Sequence, residues 1–129
     1  MDKELVKKDI ETLRENKNCA QSTLIGLCRN GECDISEEEL AILASGFGGG
    51  IGGTFSEGTC GALTGAVMAL GLLEKDGPTI SSHAKELFEK FEKEYTSVTC
   101  GVISKNGEDK SPCVECCVYA GEIVADLLK

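Results

Sequence analysis

The spacing of apolar positions along the chain follows the period of a helix. Val6, Ile10 and Leu13 recur at intervals of four and three residues, which places them on one face of a first helix. The pattern pauses at residues 16–18, and a second helix is predicted to begin at Cys19. The sequence has no convincing alternation of apolar and polar residues of the kind that indicates a strand. The chain is therefore predicted to be all-α.

Capping signals mark the next helices. Ser36 followed three residues later by Glu39 has the pattern of a capping box, which predicts the start of a third helix that ends at residues 45–46. A fourth helix, apolar on nearly every side, is predicted from about residue 57 to residue 74. The Asp-Gly-Pro sequence at residues 76–78 should stop it, with the glycine as C-cap and the proline unable to continue the helix.

Two more helices complete the predicted fold. A fifth is expected to be capped by Thr79 or Ser81, and a last one by Ser111, with Pro112 in the first helical position that proline favours. The sequence shows neither an internal repeat nor a linker, so residues 1–129 are expected to form one domain. We predict a compact bundle of about five to six helices, with a glycine-rich loop before a central apolar helix.

The glycine-rich loop allows more than one interpretation. Gly48, Gly50 and Gly53 match the spelling of a dinucleotide-binding motif, but that motif requires a preceding strand, and here a helix precedes it. The glycines could instead take positive φ and direct backbone N–H groups at an anion. They could equally form a tightly packed turn with no ligand.

Three glycines lie inside the predicted fourth helix, at Gly61, Gly65 and Gly71. A glycine in a helix interior costs about 0.8–1 kcal/mol relative to alanine, so each requires a compensating gain. The simpler explanation is a second helix backbone that packs closely against this face. The alternative is that the stripe leaves room beside Cys60 for a group larger than a side chain.

The charge balance restricts the partners. Lys and Arg number 13 and Asp and Glu number 22, which gives a net charge of −9. This sign disfavours nucleic acid and anionic lipid, and favours a partner with a basic surface. The longest uncharged stretch, residues 58–73, is too short to span a bilayer, so no membrane interaction is expected. Residues 1–5 lack the apolar segment of a secretory signal, which predicts a reduced cytoplasmic protein.

Eight cysteines are the most prominent chemical feature of the chain. Their share lies below the ~8–10% that is typical of disulfide scaffolds in short secreted proteins. Cys19, Cys60 and Cys113 are predicted in first turns of helices, where the helix dipole favours a thiolate. Cys116 follows Cys113 at a metal or redox spacing, and both are predicted to face the interior with Cys117.

Other residues support fewer functions. Cys28 and Cys33 flank the Asn30-Gly31 turn and could meet across it, although we interpret them as free thiols at the surface or in the core. His83 is the only histidine and has no cysteine near it in sequence. The sequence therefore supports neither a Cys–His pair nor a Ser–His–Asp triad.

Several short motifs stand out together, at residues 18–22, 46–50, 59–66 and 120–123, with the cysteines at positions 100 and 113. In combination they resemble a known family, the redox-active proteins named C_GCAxxG_C_C. The resemblance spans residues 18–124. The four cysteines that give the family its name correspond here to Cys19, Cys60, Cys100 and Cys113.

The resemblance implies a small helical protein of bacteria or archaea. Relatives of the domain occur in multihaem cytochromes, where an iron–sulfur centre has been associated with it. This chain departs from the family pattern in its additional cysteines and in the short spacer before Cys113, so Cys116 or Cys117 could take the place of Cys113. A c-type haem is excluded because the sequence contains no C-x-x-C-H.

From these features we expect an electron-transfer protein in which four thiolates bind an iron–sulfur cluster. The ligands would be Cys19, Cys60, Cys100 and Cys113, and backbone N–H groups near the cluster would come from Gly48, Gly49, Gly50 and Gly61. The expected partners are a redox partner protein and, in a homodimer, a second copy of the chain. Two alternatives stay open. One is a cofactor-free thiol–disulfide protein in which Cys60 or Cys113 is the nucleophile. The other is a structural zinc protein with four cysteine ligands.

Overall fold

A computed structural model describes residues 1–109 and 111–128 of the chain. The described residues form seven α-helices and one short 3₁₀ turn, without a strand, which confirms the all-α prediction. The helices are α1 Lys3–Leu13, α2 Cys19–Arg29, α3 Glu37–Ala44, α4 Gly61–Glu74, α5 Gly77–Tyr95, α6 Cys100–Ile103 and α7 Pro112–Leu127, with the 3₁₀ turn at Ser45–Phe47. The helix that exceeds the expected number is α6, which is a single turn.

The centre of the fold is the contact between α2 and α4. Both helices also pack against α7, α1 covers α2 and α7, and α5 lies against α4. Eight residues of α2 and seven of α4 are buried. A helix that is apolar on every side must be surrounded by other elements. The prediction of a central apolar helix is therefore confirmed for α4.

Small residues allow α2 and α4 to approach closely. A Cβ atom added at Gly65 would lie 2.5 Å from the carbonyl oxygen of Ala20, and one at Gly61 would lie 3.0 Å from the Ala20 nitrogen. Close packing thus explains both glycines. It does not explain Gly71, where an added Cβ would meet nothing within 4 Å.

Polar side chains cap the helices that precede the glycine-rich loop. Asn18 accepts a hydrogen bond from the Gln21 N–H at 2.9 Å, and the Gln21 side chain accepts one from the Asn18 N–H at 3.0 Å, which forms a capping box at the start of α2. The Asn18 amide also donates to the Ser45 carbonyl at 3.2 Å, which ties α2 to the 3₁₀ turn. Ser36 accepts from the Glu39 N–H at 3.2 Å and caps α3 as predicted.

The fourth helix begins later than the sequence predicts. Residues 57–60 are not helical, because this segment pairs with residues 98–100 through an isolated antiparallel bridge between Thr59 and Thr99. The Cys60 N–H donates to the Val98 carbonyl and the Cys100 N–H donates to the Gly58 carbonyl, each at 2.7 Å. Cys60 is consequently the N-cap of α4 and not a member of its first turn.

The junction between α4 and α5 also differs from the prediction. Lys75, with φ of 66°, ends α4 in the left-handed conformation, and Gly77 does not serve as its C-cap. Asp76 then caps α5 by accepting a hydrogen bond from the Thr79 N–H at 3.1 Å. Pro78 fits the first turn because an N–H there has no helical acceptor. The expected caps Thr79 and Ser81 therefore lie inside α5.

Within the described residues, no helix has both the length and the apolar character that crossing a membrane requires.

Candidate functional site

A cavity of about 240 Å³ lies where four separate parts of the chain meet. Its walls include all four cysteines that the sequence singled out, namely Cys19, Cys60, Cys100 and Cys113. They come from the start of α2, the N-cap of α4, the start of α6 and the first turn of α7. We call this space the thiol cavity. A fifth cysteine, Cys116, also lines it.

Backbone pairing brings Cys60 and Cys100 to the same wall. The two hydrogen bonds that flank the Thr59–Thr99 bridge involve the N–H groups of Cys60 and Cys100 themselves. Cys60 and Cys100 are 5% and 7% exposed, whereas Cys19 and Cys113 are only half-buried. The cavity therefore has a closed side and a side that faces solvent.

A compact turn holds Cys100 in place. The Ser104 hydroxyl donates to the Cys100 carbonyl at 2.7 Å and lies 3.8 Å from its sulfur, while the Gly107 N–H donates to the Ser104 oxygen at 3.0 Å. Gly101 permits the Ser56 segment to approach, because an added Cβ would lie 2.5 Å from the Ser56 carbonyl oxygen. Ser104 itself is buried at 1% exposure, so these contacts are fixed within the fold.

The glycine-rich loop forms another part of the wall. Gly48, Gly49 and Gly53 line the thiol cavity, as does Gly61. Gly50, expected beside them, does not appear among the lining residues, and an added Cβ there would lie 3.0 Å from the Gly58 Cα. The loop closes on itself, since the Gly53 N–H donates to the Gly48 carbonyl at 2.9 Å. This loop is thus a packed turn with its glycine surface toward the thiols.

Cys60 and Cys116 share a hydrogen bond between their thiols. This hydrogen bond lowers the pKa of Cys60, against the effect of burial, and the N–H groups of Ala62 and Leu63 at the start of α4 lower it further. The same contact, together with burial, raises the pKa of Cys116. The pair therefore favours the thiolate at Cys60 over the thiolate at Cys116.

Cys19 behaves differently from the prediction for a helix first turn. Its hydrogen bond with the Cys113 thiol lowers its pKa, but a hydrogen bond with Cys117 and burial outweigh that effect and raise the pKa to about 12. Arg14, which also lines the cavity, lowers it only slightly. The pKa of Cys19 is therefore raised and not lowered as the helix dipole predicts, because the Cys117 hydrogen bond and burial outweigh the opposing effects.

A tyrosine lies behind the Cys60–Cys116 pair. The Tyr95 hydroxyl contacts the Cys116 thiol and lies 3.4 Å from a carboxylate oxygen of Glu115. Burial, followed by these two neighbours, raises the pKa of Tyr95. The hydroxyl stays protonated, and its one proton is donated to the Glu115 carboxylate.

Comparison with known proteins places this chain in a family. A family model described as "Putative redox-active protein (C_GCAxxG_C_C)" matches residues 17–127. The chain belongs to this family. A relative from Archaeoglobus fulgidus, described as "Uncharacterized protein", is 30% identical over an alignment that covers 95% of this chain and 92% of the relative. No solved structure matches the chain.

The family thus confirms the resemblance seen in the sequence, and the four cysteines assigned to it from the sequence line one cavity here. The sequence analysis placed Cys116 at a metal or redox spacing from Cys113 and as a possible substitute for it, but did not include it among the expected ligands. The signal was the Cys113-x-x-Cys116 spacing, which places both side chains on one helix face. Arg14 gave no local signal, since it lies at the C-terminal end of an ordinary amphipathic helix.

Cys28 and Cys33 lie outside the thiol cavity. Their thiols meet across the Asn30-Gly31 turn, and burial followed by the hydrogen bond with Cys33 raises the pKa of Cys28 to about 12. All eight cysteines are among the described residues, and none of them forms a disulfide. The chain therefore carries one group of thiols around the cavity and a separate pair at the end of α2.

Among residues 1–109 and 111–128, no three His, Cys, Asp or Glu side chains are placed so that they could hold a metal ion. The thiols instead lie on the walls of one cavity. An iron–sulfur cluster is a multi-atom group that four cysteine thiolates can surround. The four cysteines around the cavity are the residue type that such a group takes as ligands.

Proposed function

We propose that this protein is a redox protein that holds an iron–sulfur cluster in the thiol cavity and passes electrons to a partner. The observation that supports the proposal is that Cys19, Cys60, Cys100 and Cys113, from four separate elements, line one cavity. Thiolates are soft ligands that suit iron–sulfur clusters. When bound, the cluster would supply reversible one-electron transfer.

Three residues that line the cavity have defined roles in the proposed function. Cys60 is prepared for ligation because its pKa is lowered by Cys116 and by two N–H groups. Cys19 holds a proton that ligation would displace, so loading of the site releases protons. Arg14 supplies a positive charge at the wall, which offsets the charge of thiolate ligands.

The glycines that line the cavity and its solvent-facing side also contribute to the proposed function. Gly48, Gly49 and Gly61 present no side chain, so a group in the cavity can approach the backbone. The half-buried Cys19 and Cys113 mark the side on which electrons would enter or leave. The net charge of −9 favours a basic docking surface on the partner protein.

The test is anaerobic reconstitution of the metal-free chain with ferrous iron and sulfide. Iron, sulfide and zinc are then measured per chain, together with the visible absorbance of thiolate-to-iron charge transfer. We expect iron and sulfide to bind to the wild type, little binding to Cys60→Ser or Cys100→Ser, and full binding to Cys28→Ser. Cys28→Ser is the matched control, because Cys28 is similarly buried but lies outside the cavity.

Two results would count against the proposal. If Cys28→Ser lost as much iron as Cys60→Ser, the assignment of ligands to the cavity would be wrong. If the chain purified anaerobically carried stoichiometric zinc and took up no iron, the site would be a structural zinc site.

A further inference from the structure

We infer that Cys60 and Cys116 form a reversible disulfide, so that the metal-free chain is itself a dithiol–disulfide redox protein. The two thiols interact with each other in the thiol cavity, although they are far apart in sequence. Both line the thiol cavity, one from the N-cap of α4 and one from α7. This activity goes beyond the proposed function because it needs no cluster.

The two sulfurs have different roles in the exchange. Cys60 is 5% exposed and is the N-cap of α4, where the positive end of the helix dipole favours a thiolate, so it is the nucleophile that an incoming disulfide meets. Cys116 has no exposed surface and is in contact with Cys60. Cys116 is therefore the resolving thiol, which reacts only after Cys60 has been modified.

The neighbouring Cys117 offers a direct comparison. It is as fully buried as Cys116 and lies on the same helix, but it does not line the cavity. Its thiol points elsewhere and donates to the Cys19 carbonyl at 3.6 Å. Of these two adjacent cysteines, only Cys116 is placed to reach Cys60.

The oxidant is a small aliphatic disulfide, RS–SR. The Cys60 thiolate attacks one sulfur of RS–SR, which forms a mixed disulfide and releases RS⁻. Cys116 then loses its proton and attacks the Cys60 sulfur, which forms the Cys60–Cys116 bond and releases the second RS⁻. The protons from the two cysteines leave with the two released RSH molecules. The cysteines are oxidised by two electrons and RS–SR is reduced by two.

The experiment uses the full-length chain, freed of metal by a chelator and incubated anaerobically with hydroxyethyl disulfide. Remaining thiols are then blocked with an alkylating agent in acid, and disulfides are located by peptide mapping. We expect a Cys60–Cys116 cross-link in the wild type, which dithiothreitol reverses. Cys117→Ser should form the same cross-link, whereas Cys116→Ser should retain a mixed disulfide on Cys60. Circular dichroism of both variants checks that they are folded.

A wild-type map that shows Cys60 joined to Cys113, or Cys60 still reduced, would overturn the inference, and this result depends on no variant. Cross-linking of Cys60 to Cys116 in a chain that takes up no iron would leave the inference standing and remove the proposed function. Iron uptake without this cross-link would do the reverse.

Discussion

Gly65 of α4 lies so close to Ala20 of α2 that a Cβ at position 65 would be 2.5 Å from the Ala20 carbonyl oxygen. Real Cβ atoms essentially never come within 3.0 Å of such an atom. The contact places the two backbones side by side. It also brings Cys19, the residue before Ala20, toward Gly61, where an added Cβ would be 3.1 Å from the Cys19 Cβ. The packing of two helices thus positions one wall of the thiol cavity.

Replacing Gly65 with alanine should destabilise the fold. The new methyl group would meet the backbone of α2, which cannot rotate away as a side chain can, so we expect a loss of about 1–3 kcal/mol. Gly71→Ala in the same helix is the matched control. Its Cβ would meet nothing within 4 Å, and removal of a helical glycine should stabilise the fold by about 0.8–1 kcal/mol.

Urea unfolding followed by circular dichroism measures both changes. The expected result is a lower midpoint for Gly65→Ala and a higher midpoint for Gly71→Ala, with the slope unchanged in each. Equal stabilisation by both alanines would show that α2 and α4 do not approach as closely as this structure places them.

Much of the fold follows from local signals in the sequence. Periodicity predicted the helices, and the break at residues 16–18, Ser36 and Pro112 marked the starts of α2, α3 and α7 correctly. The start of α4 could not be found in this way. Residues 57–60 have no feature that distinguishes a first helical turn from an extended segment, and only the pairing of Thr59 with Thr99 decides between them. Such pairing depends on two segments that are distant in sequence.

The turn that carries Cys100 should also lose stability when a larger side chain replaces Gly101. At Gly101 an added Cβ would lie 2.5 Å from the Ser56 carbonyl oxygen and 2.6 Å from that of Phe55. Gly101→Ala should therefore displace either Cys100 or the 55–56 segment, and we expect a loss of about 1–3 kcal/mol. Gly46→Ala is the control, because an added Cβ there meets nothing within 4 Å.

Thermal unfolding and iron content after anaerobic reconstitution are the two measurements for this pair of variants. We expect Gly101→Ala to lose both stability and bound iron, and Gly46→Ala to keep both. Normal iron content in a destabilised Gly101→Ala chain would indicate that the position of Cys100 is not critical for the site.

In the metal-free chain, Cys60 and Cys28 should become reactive toward alkylation at different pH values. The two are nearly equally exposed, at 5% and 6%, so their difference in reactivity reports ionisation more than access. The thiolate is the reactive form. Because the pKa of Cys60 is lowered and that of Cys28 is raised to about 12, Cys60 should reach full reactivity at a lower pH than an ordinary thiol.

Alkylation with iodoacetamide at a series of pH values, with the products mapped by mass spectrometry, gives both profiles. The rate at Cys60 should rise to a plateau below the ordinary cysteine pKa of about 8.5, while the rate at Cys28 should still be rising above it. Cys116→Ala, which removes the hydrogen-bond donor to Cys60, should move the Cys60 profile to higher pH. Coincident profiles for Cys60 and Cys28 would contradict the assigned ionisation.

For the thiol cavity, the sequence identifies four of the lining cysteines but not the contacts that the cysteines make. The family pattern was enough to choose Cys19, Cys60, Cys100 and Cys113, which line one cavity. Cys116 and Cys117 have the same residue type, helix and burial, and differ only in what faces them. The ionisation of Cys19 was mispredicted for the same reason, since Cys117 contacts it from another helix. Contacts between helices decide both cases.

The inferred disulfide and the proposed cluster would compete for one sulfur. A Cys60 that is bonded to Cys116 has no thiolate to donate, so oxidation should block loading of the cavity. We expect wild-type chain treated with hydroxyethyl disulfide to bind roughly one tenth of the iron that the reduced chain binds. Addition of dithiothreitol should restore full binding. This prediction depends on both the proposed function and the inferred disulfide.

Comparison of Cys117→Ser with Cys116→Ser makes the competition specific. In Cys117→Ser, oxidation should block iron uptake as in the wild type. In Cys116→Ser, Cys60 carries a mixed disulfide with the small thiol. Sulfide, which is in excess during reconstitution, attacks the outer sulfur of this bond, which forms RS–SH and releases Cys60 as a thiolate. Uptake in oxidised Cys116→Ser should therefore approach that of its reduced form without added dithiothreitol. If oxidation blocked iron uptake equally in both variants, a disulfide other than Cys60–Cys116 would control loading of the site. The other pair of interacting thiols in the cavity, Cys19 with Cys113, would then be the next to map.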